Sequence, residues 1–258
     1  MKSITSVSIV GAGNVAYHLG KALSNSGVGV DFIFSKSNTN AQELANLVGA
    51  KATRNLADLQ KSDLIICATP DDTLIDLIPI LAPIAPVVAT SGTFNVLALD
   101  LDTPIGVFYP LQTFSKSKAT DFSVIPLFIE SNTVDFNGIL LELGKKMSRT
   151  VVELEWEKRK TLHLAAVFAN NFTNHLIDIA QQQLQAAQLP FAWIQPLLNE
   201  TLAKLEFQTA KDAQTGPARR NDQQTIQQHI SMLPSEEAKI YELLTASIQQ
   251  RFSDHDKL

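Results

Sequence analysis

ITSVSIVGAGNVAYHLG, from Ile4 to Gly20, decides the fold. Apolar residues gather at Val7, Ile9 and Val10, then Gly11-Ala12-Gly13-Asn14-Val15-Ala16 follows at once and leads into a helical pattern. A buried strand, a glycine turn and a helix in this order form the dinucleotide-binding fingerprint G-x-G-x-x-A. Gly11 permits the tight turn. Gly13 has no Cβ, so a pyrophosphate can approach the backbone there. Ala16 is small enough for the helix to pack closely on the strand. The free N–H groups and positive dipole end of the helix then face the phosphates. Gly11, Ala12, Gly13, Asn14 and Val15 are therefore the expected pyrophosphate-binding residues.

Working outward, a helix is expected over 14–26 and a second strand over 30–34. Where an NAD-preferring fold carries an acidic residue for the adenosine ribose, this chain reads Ser35-Lys36-Ser37. No carboxylate stands there to repel a 2′-phosphate, and a lysine with two hydroxyls can bind one. NADP is preferred over NAD on that ground. A helix over 38–47 with Asn38 or Thr39 as N-cap, a short strand over 51–53 and a continuous apolar strand over 63–69 follow. The last suits a parallel strand covered on both faces. It ends in Thr69-Pro70-Asp71-Asp72. Pro70 stops the strand, and Asp71, Asp72 or Thr73 can cap a helix over 74–81. Ligands of open α/β sheets lie outside the carboxyl ends of the strands, so Thr69 and Pro70 should line the cofactor cleft. Strands over 87–89, 105–109, 126–130 and 150–152 and a helix over 134–147 complete a doubly wound pattern. Ser91, in the polar group that ends the strand over 87–89, is the expected substrate-orienting hydroxyl.

After Glu153 strand signals vanish and helical periodicity takes over. The expected domains are a nucleotide-binding 1–153 and an all-helical 154–258. One long helix is expected over 156–188, apolar on nearly every side and packed on several neighbours. His163, Asn170 and Asn174 stand at i, i+7 and i+11 on one face of it. Asn171 and His175 flank them. If this stripe faces a substrate, His163 is the proton donor and Asn170 an orienting group; helix-to-helix or subunit hydrogen bonding is the plainer use. Arg219 and Arg220 can clamp a carboxylate or form surface ion pairs. A last helix over 235–252 ends in a frayed tail over 253–258.

Composition narrows the classes. Hydrophobic residues make up 45% and charged residues 18% of 258 residues, and the net charge is −5. Those figures fit a globular chain and disfavour a nucleic-acid partner. No apolar run is long enough to span a membrane. The chain enters its first strand directly, which leaves no room for a signal peptide. A single cysteine, Cys67, rules out an internal disulfide, fits the cytoplasm and reads as a buried strand residue. No His/Cys cluster has zinc spacing, so no metal is expected.

The motifs Val10-Gly11-Ala12-Gly13-Asn14-Val15-Ala16, Ser35-Lys36-Ser37, Ala68-Thr69-Pro70-Asp71, Ser91-Gly92-Thr93, Tyr109-Pro110-Leu111-Gln112-Thr113-Phe114, His163 with Asn170-Asn171, and Thr215-Gly216-Pro217 through Asp222 with His229 run through almost the whole chain. On them the chain resembles the bacterial DUF2520 proteins. These join a Rossmann-like NADP-binding domain, of the F420-dependent NADP oxidoreductase and pyrroline-5-carboxylate reductase type, to a helical domain like the C-terminal domain of 6-phosphogluconate dehydrogenase. The resemblance implies a two-domain, NADP-binding oxidoreductase that acts on a small molecule and pairs as a homodimer through its helical domain. β-Hydroxyacid dehydrogenases are more distant relatives. Departures from the pattern are Tyr109, where the family usually has His, and Asn221, where Arg-Gly-Asp is frequent. Related reductases have a lysine four residues before the interdomain asparagine; Ala166 holds that place here. The implied reaction is hydride transfer between nicotinamide and a small carbonyl or imine compound in an interdomain cleft. The alternative is a non-catalytic NADPH-binding sensor or dimeric scaffold.

Overall fold

β1 (Ser6–Val10) runs through the middle of a sheet, and Val7, Ile9 and Val10 have almost no exposure. The computed structural model describes residues 3–253; the tail expected over 253–258 lies, from 254 on, outside the described residues. The other strands are β2 (Gly29–Phe34), β3 (Lys51–Thr53), β4 (Leu64–Cys67), β5 (Val87–Ala89), β6 (Ile105–Pro110), β7 (Leu127–Ser131) and β8 (Val151–Glu153). They lie in the order β3-β2-β1-β4-β5-β6-β7-β8. The six from β3 to β6 are parallel, in the Rossmann order. β7 runs antiparallel to β6, with Gly106 opposite Ser131, and β8 runs parallel to β7. Only a short 3₁₀ turn, Phe122–Val124, occupies the connection from β6 to β7, so no crossover helix returns the chain to parallel.

Helices cover both faces, which is why the central strands are apolar on both sides. α1 (Asn14–Asn25), α2 (Asn38–Val48) and α4 (Val134–Lys145) bury Leu19, Leu23, Leu44, Phe136 and Leu140 against one face. α3 (Asp71–Leu81) buries Leu74, Ile78 and Leu81 against the other. Along β4, Leu64 and Ile66 enter the first layer while Ile65 and Cys67 enter the second. Two expected caps differ. The N-cap of α2 is Ser37 and that of α3 is Pro70, neither with a side-chain bond. Asp71 and Asp72 lie inside the first turn of α3, where their charge suits the helix dipole.

The chain divides into two compact units, Met1–Phe168 and Ala169–Leu258. α5 (Trp156–Ala166) belongs with the sheet. The helix expected over 156–188 is three stretches: α5, a π-helical Val167–Phe172 and α6 (Thr173–Ala186). A π turn closes i→i+5 bonds, so the α register that would align His163, Asn170 and Asn174 is not kept. The second unit continues with α7 (Gln195–Lys204), α8 (Gln223–Met232) and α9 (Ser235–Ser253). Within it Asp222 caps α8 by accepting from the Thr225 N–H at 3.1 Å, His229 Nδ1 meets the Tyr241 hydroxyl at 2.9 Å, and Arg219 lies 3.9 Å over the Phe252 ring. Close packing around 162–180 was expected; instead no residue of the π stretch or of α6 is buried, and Asn170, Asn171, Asn174 and His175 are all exposed.

Candidate functional site

Gly11 makes the turn from β1 to α1 at φ +113°, donating its N–H to the Phe34 carbonyl at 2.8 Å. A Cβ on it would lie 2.2 Å from the Ala68 carbonyl oxygen, so only glycine fits this crossing of three strand ends. Gly13, the N-cap of α1, has open space where a Cβ would be. Beside them is a cavity of about 530 Å³ lined by Gly11, Ala12, Gly13, Ser35, Lys36, Thr69 and Pro70, with Asp72 and Asp76 also in its wall. It sits where the strand order reverses, between the carboxyl ends of β1 and β4. The Thr69 hydroxyl is buried there without a hydrogen-bond partner. A dinucleotide fits these features: a helix N-terminus without a side-chain cap for phosphate, an open backbone at Gly13 and an unmet hydroxyl in the wall. Asn14 and Val15, on the first turn of α1, and Ser37, which donates its N–H to Ser35 Oγ at 3.2 Å, lie outside this lining.

The second group forms where β5 ends. Ser91 Oγ donates to Asp71 Oδ2 at 2.7 Å and accepts from the N–H groups of Thr93 at 3.0 Å and Phe94 at 2.8 Å. A hydroxyl has one proton and two lone pairs. All are used in ties to Asp71, Thr93 and Phe94, so a substrate would meet this hydroxyl only in exchange for one of them; Thr93 donates its hydroxyl to the same Asp71 oxygen. Next to it the His163 ring closely approaches Gly92, where a Cβ would come within 2.6 Å of Nδ1 and 2.8 Å of Tyr109 Cζ. Tyr109 Oη and His163 Nδ1 are 3.1 Å apart. Burial raises the Tyr109 pKa, Arg159 opposes that rise and Asp71 adds to it. The phenol therefore keeps its proton at neutral pH, and one hydrogen bond, from the phenol or from the ring nitrogen according to the tautomer, joins the two groups. With Nδ1 held in that bond, Nε2 is the ring nitrogen left to meet a bound molecule. His163 is half-buried in the first unit, while Asn170 is exposed in the second.

A crystal structure of a candidate NADP oxidoreductase, BF3122 from Bacteroides fragilis, is 36% identical to this chain, covers 96% of it and 98% of itself, and superposes with a TM-score of 0.90. The profile of the domain of unknown function DUF2520 matches residues 125–248. The chain belongs to the DUF2520 family. The profile described as NADP oxidoreductase, coenzyme F420-dependent, matches residues 6–86 of this DUF2520 protein. Protein TM1727 from Thermotoga maritima shares the fold at 20% identity and TM-score 0.75, over 95% of this chain and 98% of that one. So does an imine reductase from Myxococcus stipitatus, solved with NADP+, at 16% identity and TM-score 0.65, over 98% and 94%. A comparison with curated proteins gives no match.

Three residues of the DUF2520 protein that shape the site were not singled out from sequence. Arg159 has no exposed surface; its guanidinium donates to Glu130 Oε2 at 2.7 Å and to the carbonyls of Ser91 at 3.1 Å and Phe94 at 3.2 Å. Glu130 in turn accepts the Trp156 N–H at 2.8 Å. This ion pair pins α5, and so His163, onto the ends of β5 and β7. Arg54 donates to the Lys36 carbonyl at 3.0 Å. Each of these pairs joins positions far apart in sequence, so none shows itself in the local pattern. Phe114 explains part of the Pro110–Phe114 motif: it stacks on the buried His18 of α1, centroids 5.0 Å apart, and anchors the loop after β6. Among the described residues no group of three or more His, Cys, Asp or Glu is arranged to hold a metal, and no helix is long and apolar enough to cross a membrane.

Proposed function

We propose that this protein is an NADP(H)-dependent oxidoreductase acting on a small carbonyl or imine compound. Gly11, Ala12, Gly13, Asn14 and Val15 hold the diphosphate at the N-terminus of α1. Ser35, Lys36 and Ser37 hold the 2′-phosphate, and Thr69 and Pro70 form the wall. The bound nicotinamide supplies or accepts the hydride. His163, protonated at both ring nitrogens and held at Nδ1 by Tyr109, would give its Nε2 proton to the oxygen or nitrogen that is reduced and be left neutral, and would take the proton back in the oxidative direction. Asn170 is the further orienting group. The observation that carries this reading is the cavity at the strand reversal, with Gly13, Lys36 and the unpartnered Thr69 hydroxyl in its lining. A small-molecule site in a reducing compartment, the cytoplasm, agrees with the buried free thiol of Cys67.

Two observations favour a second reading, a non-catalytic NADPH-binding sensor or dimeric scaffold. The Ser91 hydroxyl is fully engaged by Asp71, Thr93 and Phe94, and Ala166 stands where a catalytic lysine would be. Calorimetric titration with NADPH and NADH, on wild type and Lys36→Ala, is the first test. Tighter binding of NADPH that weakens at least about tenfold in the variant, with NADH little changed, is the expected result. A panel of small carbonyl and imine compounds then separates the two readings. Turnover that falls by about 100-fold or more in His163→Ala while NADPH still binds supports catalysis. NADPH binding with no turnover on any of them supports the sensor. No binding of either nucleotide removes both.

We further propose that two copies pair through the helical unit. Among the described residues of that unit only Ala218, Ile226 and Thr245 are buried in the single chain. Leu197, Leu202 and Phe207 are 65%, 67% and 87% exposed. A domain that buries so little within its own chain needs a partner surface.

A further inference from the structure

We infer that Arg54 is a second cation of the 2′-phosphate site and a determinant of the preference for NADP over NAD, an inference that rests on the cofactor reading above. β3 pairs with β2 so that Phe34 lies opposite Thr53, which sets Ser35 and Arg54 side by side as the first residues beyond the two carboxyl ends. Ligands of an open α/β sheet lie outside such ends. Arg54 Nη2 donates to the Lys36 carbonyl at 3.0 Å, so the guanidinium is already held against the loop that carries Lys36, on the exposed side. One of its five N–H donors is engaged in that bond, which leaves a planar fork suited to the oxygens of a phosphate.

Charge makes the same case. The cavity lining contains Lys36 as a cation but also Asp72 and Asp76. Two carboxylates against one ammonium leave the wall net negative, a poor host for a phosphate monoester that carries nearly two charges. A guanidinium bonded to the same loop restores the balance. It also explains why one lysine suffices in the Ser35-Lys36-Ser37 turn. Arg54 fixes the turn through the Lys36 carbonyl and meets the phosphate with its remaining donors.

The test isolates the phosphate by titrating adenosine 2′,5′-bisphosphate and 5′-AMP, alongside NADPH and NADH, into wild type, Arg54→Ala and Arg54→Lys. The expected result is a loss of at least about tenfold in affinity for the two 2′-phosphorylated ligands in Arg54→Ala, with 5′-AMP and NADH changed less than about twofold. Arg54→Lys, which keeps the charge without the fork, recovers part of the loss. Equal losses for phosphorylated and unphosphorylated ligands would make Arg54 a loop anchor only and overturn the inference, and so would no loss at all. A wild type that does not distinguish NADPH from NADH overturns the cofactor reading itself, a failure visible before any Arg54 variant is measured. Thermal unfolding of each variant checks that it folds; Arg54→Gln takes the place of one that does not.

Discussion

The Cys67 thiol shows how burial at one residue reaches the behaviour of the whole chain. It is fully buried on β4, and desolvation pushes its pKa from the ordinary 9.0 up to about 12. The folded chain therefore keeps a proton that the unfolded chain gives up above pH 9.0. Stability from this group is fully present below 9.0 and is lost as the pH rises toward about 12, at up to about 1.4 kcal/mol per pH unit. Cys67→Ala removes the titration and leaves Tyr109, whose raised pKa acts in the same direction, in both proteins. Urea unfolding at pH 7, 9, 10 and 11 is expected to show the stability difference between wild type and Cys67→Ala shrinking, then reversing, as the pH rises. A constant difference would mean that the thiol does not titrate this way. In the folded protein at pH 7 the thiol should resist alkylation for as long as the chain stays folded. That Cys67 is a strand residue was legible in the apolar run around it. The engagement of the Ser91 hydroxyl was not, because its acceptor, Asp71, lies 20 positions earlier and the contact exists only once β5 and α3 are in place.

At the level of elements, the Arg159–Glu130 pair is what attaches α5 to the sheet. The side chains are 0% and 10% exposed, so each charge depends on the other. Arg159→Ala leaves Glu130 desolvated without a cation, and a loss of about 3–5 kcal/mol in unfolding free energy is expected. Removing both charges with Arg159→Met and Glu130→Gln should cost clearly less than the sum of the two single changes, because each single change leaves a buried charge behind and the double variant leaves none. Denaturant titration of the four proteins in this cycle measures the coupling; additive losses would show that the pair does not hold α5. The strands themselves were readable from sequence, since a strand covered on both faces must be apolar throughout, as in β4. Hydropathy also marks a helical run from Trp156 onward. It does not record which carbonyl each N–H finds, so the π stretch Val167–Phe172, with the shift it brings to the face carrying Asn170, had no signature. Arg54 was equally hidden: its role depends on the pairing of β2 with β3, not on its neighbours in the chain.

For the whole molecule, the two units solve the problem of burial differently. The sheet unit buries apolar side chains in layers on both faces, whereas α6 and α7 contain no buried residue in the single chain. Isolated exposed leucines are common on any protein and mean little. Eleven large apolar side chains exposed among the described residues of the smaller unit, Trp193, Leu197, Leu202, Phe207 and Leu243 among them, are too many for that explanation. Sedimentation equilibrium of the full chain is expected to give about twice the 28.2 kDa of one copy. Leu197→Glu and Leu202→Glu, made separately on α7, place a charge where an apolar contact is expected and should each shift the population toward single chains. Both positions are exposed, so the fold of one copy does not need them, and far-UV circular dichroism should be unchanged. A wild type that remains at the mass of one chain at every concentration overturns the pairing. A dimer that survives both changes moves the contact away from α7. Single chains that still bind NADPH as tightly as wild type would place the nucleotide site wholly within one copy.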